Sequence, residues 1–332
     1  MLSRARTLAP GNPVIHYRLG LLLSDTGRPA EALDALDMSL SLQSDNARAH
    51  NNRGSALQLL GRVSEAEKAF QRALDLSPEL ELPYVNLGHA LEAQGKAREA
   101  AALYEKAIAR GLDPALFSHY LAAASGKVTE RAPDRWVSAT FDNFAPTFDA
   151  HLQRLGYNAP QLLAAMAQSH VAEALDVLDL GCGTGLCGLQ LAQPKRYLVG
   201  IDLSEKMLAQ ARAHGVYDEL HLAELHAWLR GSAAARFDMV IAADVFIYIG
   251  ALEDLFHEIA RSVRPGGWFA FSTEECESGD YTLRPTGRYA QSEAYIRRLA
   301  EPAFITVAAD PTGIRLEMGT PLAGRLYLLQ KR

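Results

Sequence analysis

The chain has 332 residues, a length that suggests two domains rather than one. Hydrophobic residues make up 48% and charged residues 22%, the balance of an ordinary globular protein with enough apolar material for a core in each half. The formal net charge is −6 and neither half is basic, so nucleic acid is not expected as a partner; the three cysteines, Cys182, Cys187 and Cys276, form no CxxC pair, so neither a disulfide framework nor a metal site is expected. At the N-terminus, MLSRARTLAPGNP lacks the apolar stretch of a signal peptide. No run of about 18 apolar residues follows, so a cytoplasmic protein without a membrane span is expected.

The first half carries a period of 34 residues. Gly20, Gly54 and Gly88 share one phase, Gly27, Gly61 and Gly95 a second, Ala32, Ala66 and Ala100 a third, and Leu36, Phe70 and Tyr104 a fourth. This comb resembles the tetratricopeptide (TPR) repeat, in which each unit is a pair of antiparallel helices. Repeats are expected at about 13–46, 47–80 and 81–114, with 115–125 as a capping helix and residues 1–12 as the end of an earlier repeat. Such arrays bind an extended peptide or a partner protein on their concave face. Asn52 and Asn86, one repeat apart, are candidates to hydrogen-bond that peptide's backbone.

The polar stretch 126–133 reads as a linker between a repeat domain, 1–125, and a second domain, 134–332. Helices are expected at 134–153 and 158–174, and then strands and helices alternate. Strands fall at 176–180, 197–202, 219–223, 237–244, 268–273, 303–308 and 324–330. Helices fall at 185–193, 204–213, 251–263 and 291–300, the third ending at a Pro265-Gly266-Gly267 turn. Seven strands in this alternation predict a doubly wound, mostly parallel, Rossmann-like α/β sheet behind an all-α solenoid. Ligands bind such sheets beyond the carboxyl ends of the strands.

The first strand runs into Val177-Leu178-Asp179-Leu180-Gly181-Cys182-Gly183-Thr184-Gly185, which resembles motif I of class I S-adenosylmethionine (SAM)-dependent methyltransferases. Glycines let backbone pass close beneath a ligand. The resemblance extends from about residue 134 to the C-terminus and implies SAM as cofactor and S-adenosylhomocysteine (SAH) as product. It implies that Gly181, Cys182, Gly183 and Gly185 cradle the cofactor and that Asp179 meets its amino group. Asp202 would accept from both ribose hydroxyls, Leu203 and Met207 would flank the adenine, and Glu224 and Leu225 would meet its edge. Gly183 to Gly188 also satisfies GxGxxG, the dinucleotide fingerprint, but that pattern alone is weak, and Asp179 favours SAM.

Phe141, Phe144 and Phe148 recur at helical spacing and resemble the aromatic N-terminal lid of many small-molecule methyltransferases, with Tyr157 as a further candidate on the acceptor's side. Such a lid excludes water and covers the cofactor. A base is needed only if the acceptor arrives protonated. Asp244, Tyr248 and His151 are the candidate catalytic residues, Asp244 facing the space between cofactor and acceptor and counted also as a cofactor contact, and Tyr289 is a candidate acceptor contact. Glu274 and Glu275 are expected at the pocket mouth, and Arg315 is either a carboxylate ligand or a solvated sheet residue. The whole chain resembles bacterial TPR-fused methyltransferases. That resemblance implies methyl transfer to a protein or peptide held by the repeats. The alternatives are a small-molecule methyltransferase, for example a carboxylate O-methyltransferase, whose repeats serve a partner or a homodimer, and a non-catalytic scaffold.

Overall fold

In the repeat half the comb becomes packing. The computed structural model describes residues 10–170, 175–191, 195–317 and 320–332, and divides into two compact units, 1–127 and 128–332. Three helix pairs follow one another: α1 (Pro13–Asp25) with α2 (Pro29–Leu42), α3 (Ala47–Leu59) with α4 (Val63–Leu76), and α5 (Glu81–Glu92) with α6 (Ala97–Ala109). Helix α7 (Pro114–Ala124) closes the array. A Cβ on Gly20, Gly54 or Gly88 would overlap the side chain of Leu36, Phe70 or Tyr104, respectively. Each glycine of that phase therefore makes room for the large residue one helix on. Gly27, Gly61 and Gly95 have φ of 72°, 74° and 75°, the left-handed turn that an L side chain adopts only at a cost. The end of an earlier repeat expected at residues 1–12 lies mostly outside the described residues.

The second unit is a seven-stranded sheet in the order β3-β2-β1-β4-β5-β9-β8. Its strands are β1 (Leu175–Leu180), β2 (Lys195–Asp202), β3 (Glu219–Leu222), β4 (Phe237–Ala242), β5 (Val263–Glu274), β8 (Phe304–Glu317) and β9 (Thr320–Lys331); β6 (Tyr281–Leu283) and β7 (Tyr289–Gln291) form a separate antiparallel hairpin. β1 to β5 pair in parallel, and β9 runs antiparallel between β5 and β8. Val177, Leu178, Val199, Ile201, Val240 and Ile241 are buried, which is why the central strands read as near-continuous apolar runs. The chain reverses direction along the sheet between β1 and β4, and that reversal opens a crevice at the carboxyl ends of the strands.

Several elements depart from the sequence expectation. The helix expected over 134–153 is two, α8 (Asp134–Phe144) and α9 (Phe148–Arg154), joined by a 3-10 turn at Ala145–Thr147. Pro146 explains the break, since it has no N–H to donate and its ring crowds the preceding turn. The next helix, α10, spans Ala159–Gln168; its expected tail at 171–174 and the end of the 185–193 helix at 192–193 lie outside the described residues. Helix α11 (Leu186–Gln190) follows β1, α12 (Glu205–His214) follows β2, and α13 (Leu225–Gly231), not expected, follows β3. Helices α14 (Glu253–Ser262) and α15 (Glu293–Ala300) complete the unit. Pro265-Gly266-Gly267 lies inside β5 rather than before it, where the pairing with β4 shifts register between Phe237 and Met239 and Gly266 takes φ 77°. Nor are residues 130–132, within the expected linker, free: Ala132 N donates to Tyr248 O at 2.9 Å and Gly250 N donates to Glu130 O at 2.8 Å. Among the described residues no helix is long and apolar enough to cross a membrane.

Candidate active site

A cavity of about 380 Å³ sits at the carboxyl ends of β1 to β4. One wall is the loop after β1, where Gly181, Gly183 and Gly185 all take left-handed φ, at 63°, 55° and 95°. Gly181, Cys182 and Gly183 line the cavity. Open space surrounds the position a Cβ would take on Gly183, so the backbone itself forms that surface. Asp202, the last residue of β2, and Leu203 line the next stretch, followed by Glu224 and Leu225 after β3 and by Asp244 after β4.

The acids on this wall are positioned by backbone donors. Gly183 N donates to Asp202 Oδ2 at 2.9 Å and Ser204 N to Oδ1 at 2.8 Å. Burial raises the Asp202 carboxyl above its ordinary value, and these N–H groups oppose the rise. The Leu203 N–H also bears on this carboxylate, which leaves at least one of its roughly four lone-pair directions for a ligand. Glu224 caps α13, accepting from His226 N at 3.1 Å and Ala227 N at 2.8 Å, and Arg131 approaches it at 3.3 Å. Burial alone would raise Glu224, but the bonds from Ala227 and His226 hold it below the ordinary glutamate range.

Helices α8 and α9 cover the cavity and are tied to its floor by two carboxylates. Asp142 accepts from Ser204 Oγ at 2.6 Å, next to Asp202, and Asp149 accepts from Thr184 Oγ1 at 2.5 Å, in the glycine loop. Phe141, Phe144 and Phe148 all face the cavity, and Phe141 packs edge-on against Phe148 at 5.7 Å and Tyr248 at 5.5 Å. Tyr157 and Tyr248 line the far end together with His151, Arg288 and Arg315. Burial pushes both phenols above their ordinary range, so both remain protonated. Burial, helped by Arg154 and Arg288, pulls His151 below its ordinary value, which favours the neutral imidazole, the form able to accept a proton.

Arg315 is not solvated, and its guanidinium is already paired. It is buried, donates to Asp244 Oδ2 at 2.6 Å, and makes a second, shorter bond to Glu274. Burial raises both carboxyls, and Arg315 opposes the rise. Glu274, expected at the mouth, is instead buried in β5 as part of this triad. Asp244 takes φ 57°, unusual for a non-glycine residue, with its N–H on Ser272 Oγ at 2.8 Å. Its Oδ1 is buried and has no hydrogen-bond partner.

Other expected residues stand away from the cavity. Asp179 is buried beneath the loop and accepts from the Tyr217 hydroxyl at 2.6 Å; burial raises its carboxyl to about 7. Gly185 caps α11 where a Cβ would press on Tyr217 and Ala211, so its smallness serves packing. Met207 is buried in the first turn of α12. Tyr289, on β7, is buried and shares a 2.5 Å hydrogen bond with Thr129. In the repeats, Asn52 donates to the Tyr17 hydroxyl at 3.1 Å and Asn86 to Asn51 Oδ1 at 2.9 Å, so both amides bridge neighbouring repeats. Arg131 and Arg288 line the cavity without having been singled out. Both lie in segments with no periodic signal, the stretch read as a linker and the β6–β7 hairpin.

Residues 177–267 match the family model described as a methyltransferase domain, and residues 17–81 and 84–111 match tetratricopeptide repeat models. This chain carries a methyltransferase domain behind TPR repeats. Among curated proteins, it is 32% identical over 142 residues to the malonyl-[acyl-carrier protein] O-methyltransferase of Enterobacter lignolyticus, covering 43% of this chain and 55% of that one. It is 34% identical over 157 residues to the ubiquinone biosynthesis O-methyltransferase of Bordetella avium, covering 42% and 64%. The matches span between 24% and 64% of the length of such relatives. Among solved structures, the Burkholderia thailandensis 1,6-didemethyltoxoflavin-N1-methyltransferase is 17% identical with a TM-score of 0.48, over 62% of this chain and 92% of that one. The methyltransferase domain thus contains the glycine loop, Asp202, Glu224 and Asp244 within its matched residues.

Proposed function

We propose that the chain is a SAM-dependent methyltransferase that methylates an oxygen of a small, largely apolar acceptor. The observation that carries the reading is the wall shared by the Gly181–Gly183 backbone, Asp202 and Asp244 at the strand ends. Its residues fit the cofactor. Asp202 keeps acceptor capacity for a ribose hydroxyl, Leu203 and Leu225 offer apolar faces to an adenine, and the unpartnered buried Oδ1 of Asp244 suits an ammonium group. SAM supplies an electrophilic methyl group on a sulfonium that is its own leaving group. The protein's part is to align the reactants, exclude water and remove a proton.

His151 is the group we assign to that proton. Asp244 is already bonded to Arg315, and Tyr248 stays protonated, whereas the His151 imidazole is held toward its neutral form and lines the cavity. With SAM and acceptor bound, the His151 imidazole would take the proton that the acceptor oxygen gives up on methylation. The names of the curated relatives, both O-methyltransferases, support an oxygen acceptor. A second reading places the acceptor on a protein held by the repeats. It is favoured by a groove of about 610 Å³ between α4, α5 and α6, with Leu87, Leu91 and Leu103 among charged residues such as Lys68 and Arg72.

Calorimetry with SAM and SAH on the full chain tests the cofactor. Asp202→Ala is expected to weaken binding roughly a hundredfold, the loss of a charged hydrogen bond to a ribose hydroxyl. Equal binding by the variant would remove the basis of the reading. With binding in hand, radiolabelled methyl transfer to metabolite and peptide pools separates the two acceptors.

A further inference from the structure

At the far end of the cavity the charges do not cancel. Asp244 and Glu274 are the carboxylates there, and Arg315 bonds both. Arg284 adds a second ion pair to Glu274 at 3.3 Å. Arg288 lies on the same cavity wall, half-buried, and among the described residues it makes no ion pair. Its charge is felt at Tyr248, His151, Asp244 and Glu274. Arg315 and Arg284 are thus paired to carboxylates, while Arg288, on the cavity wall, is not. A half-buried guanidinium without an anion is costly to hold in an apolar pocket, and a ligand that brings one removes that cost.

We propose that Arg288 is a specificity-determining residue that seats a carboxylate of the acceptor, with the Tyr248 hydroxyl as a second donor. The proposal rests on the methyl-transfer reading and narrows its substrate class to apolar hydroxy acids. The one unpaired guanidinium calls for one anion, and its planar fork matches a carboxylate with two parallel hydrogen bonds. A phosphate monoester, carrying close to two charges at pH 7, would leave one uncompensated. The aromatic rings of Phe141, Phe148 and Tyr248 offer flat apolar surface beside the seat. The carboxylate would hold the acceptor while the separate hydroxyl presents its proton to His151.

The test uses the full chain saturated with SAH and two probes of nearly equal shape, 4-hydroxybenzoate and its uncharged amide, 4-hydroxybenzamide, titrated by calorimetry. The carboxylate is expected to bind at least roughly tenfold tighter than the amide, the scale of one charged hydrogen-bonded contact. Arg288→Gln should abolish that preference, and Arg288→Lys, which keeps the charge but loses the fork, should retain part of it. SAH affinity should be the same in all three proteins, which reports that the fold is intact. Equal binding of the two probes, no detectable binding of the carboxylate, or a preference that survives in Arg288→Gln would each overturn the proposal. Failure of SAH itself to bind would instead overturn the underlying methyl-transfer reading.

Discussion

The repeat unit and the methyltransferase unit bury polar and bulky groups by different routes. In the repeats the partner of a residue lies one helix away: Gly20 makes room for Leu36, Gly54 for Phe70 and Gly88 for Tyr104. In the α/β unit the partners come from distant segments. Arg315 of β8 meets Asp244 after β4, Asp149 of α9 meets Thr184, and Asp142 of α8 meets Ser204. Local pairing gives an array whose units are nearly interchangeable. Distant pairing gives a single site whose parts depend on one another.

The sharpest way to break that contrast is Arg315→Met. It removes the counterion of two buried carboxyls and is expected to destabilise the second unit by about 3–5 kcal/mol at pH 8, read by denaturant unfolding. Because burial already raises Asp244 and Glu274, the loss should shrink as the pH falls and both become protonated. A loss below about 1 kcal/mol would mean that the site tolerates rearrangement as the repeats do.

Within the repeats, Gly88→Ala is expected to cost about 1–3 kcal/mol because its methyl overlaps the Tyr104 ring. Gly61→Ala has free space around its Cβ and pays only for its left-handed φ, about 1–2 kcal/mol. Amide exchange over residues 47–124 reads both. If both substitutions proved silent, the comb would not be a packing signal.

The smallest effects concern pH. Glu92, in the last turn of α5, is raised to about 7 by burial, with no hydrogen-bond partner for either oxygen. A raised folded value means stability is fully present below the ordinary glutamate value and is lost as the pH rises through about 7. Glu92→Gln should therefore flatten the decline in melting temperature of the repeats between pH 5 and pH 8. Asp179 in the second unit is also raised to about 7, but it has the Tyr217 hydroxyl as partner. Asp179→Asn keeps an acceptor for that hydroxyl and should flatten the corresponding decline there. An unchanged slope in either variant would assign the pH dependence to other groups.

The repeats were legible because spacing alone states which residues meet. The class of the sheet was legible because buried parallel strands are apolar runs joined by helices. Pro146 and the hairpin β6–β7 were harder. The first breaks a strongly amphipathic pattern at one residue, and the second is two short strands without alternation. On the cavity wall, Gly181, Gly183, Asp202 and Glu224 stand where strand ends must place them. Asp179, two residues upstream of the loop, turns instead toward Tyr217, because the neighbour available to a side chain at a strand end depends on what packs across it.

From its residues alone, the sequence determined the helix pairs and their turns, the succession of the seven sheet strands, and the glycine loop with its strand-end acids. All of these follow from local conformation and from period. Only the tertiary structure decided that Arg315 is an internal counterion, that Asn52 and Asn86 bridge repeats, and that Arg288 faces the cavity. Those assignments depend on which distant segments meet and on which charges are already paired when they do, and no local pattern encodes either.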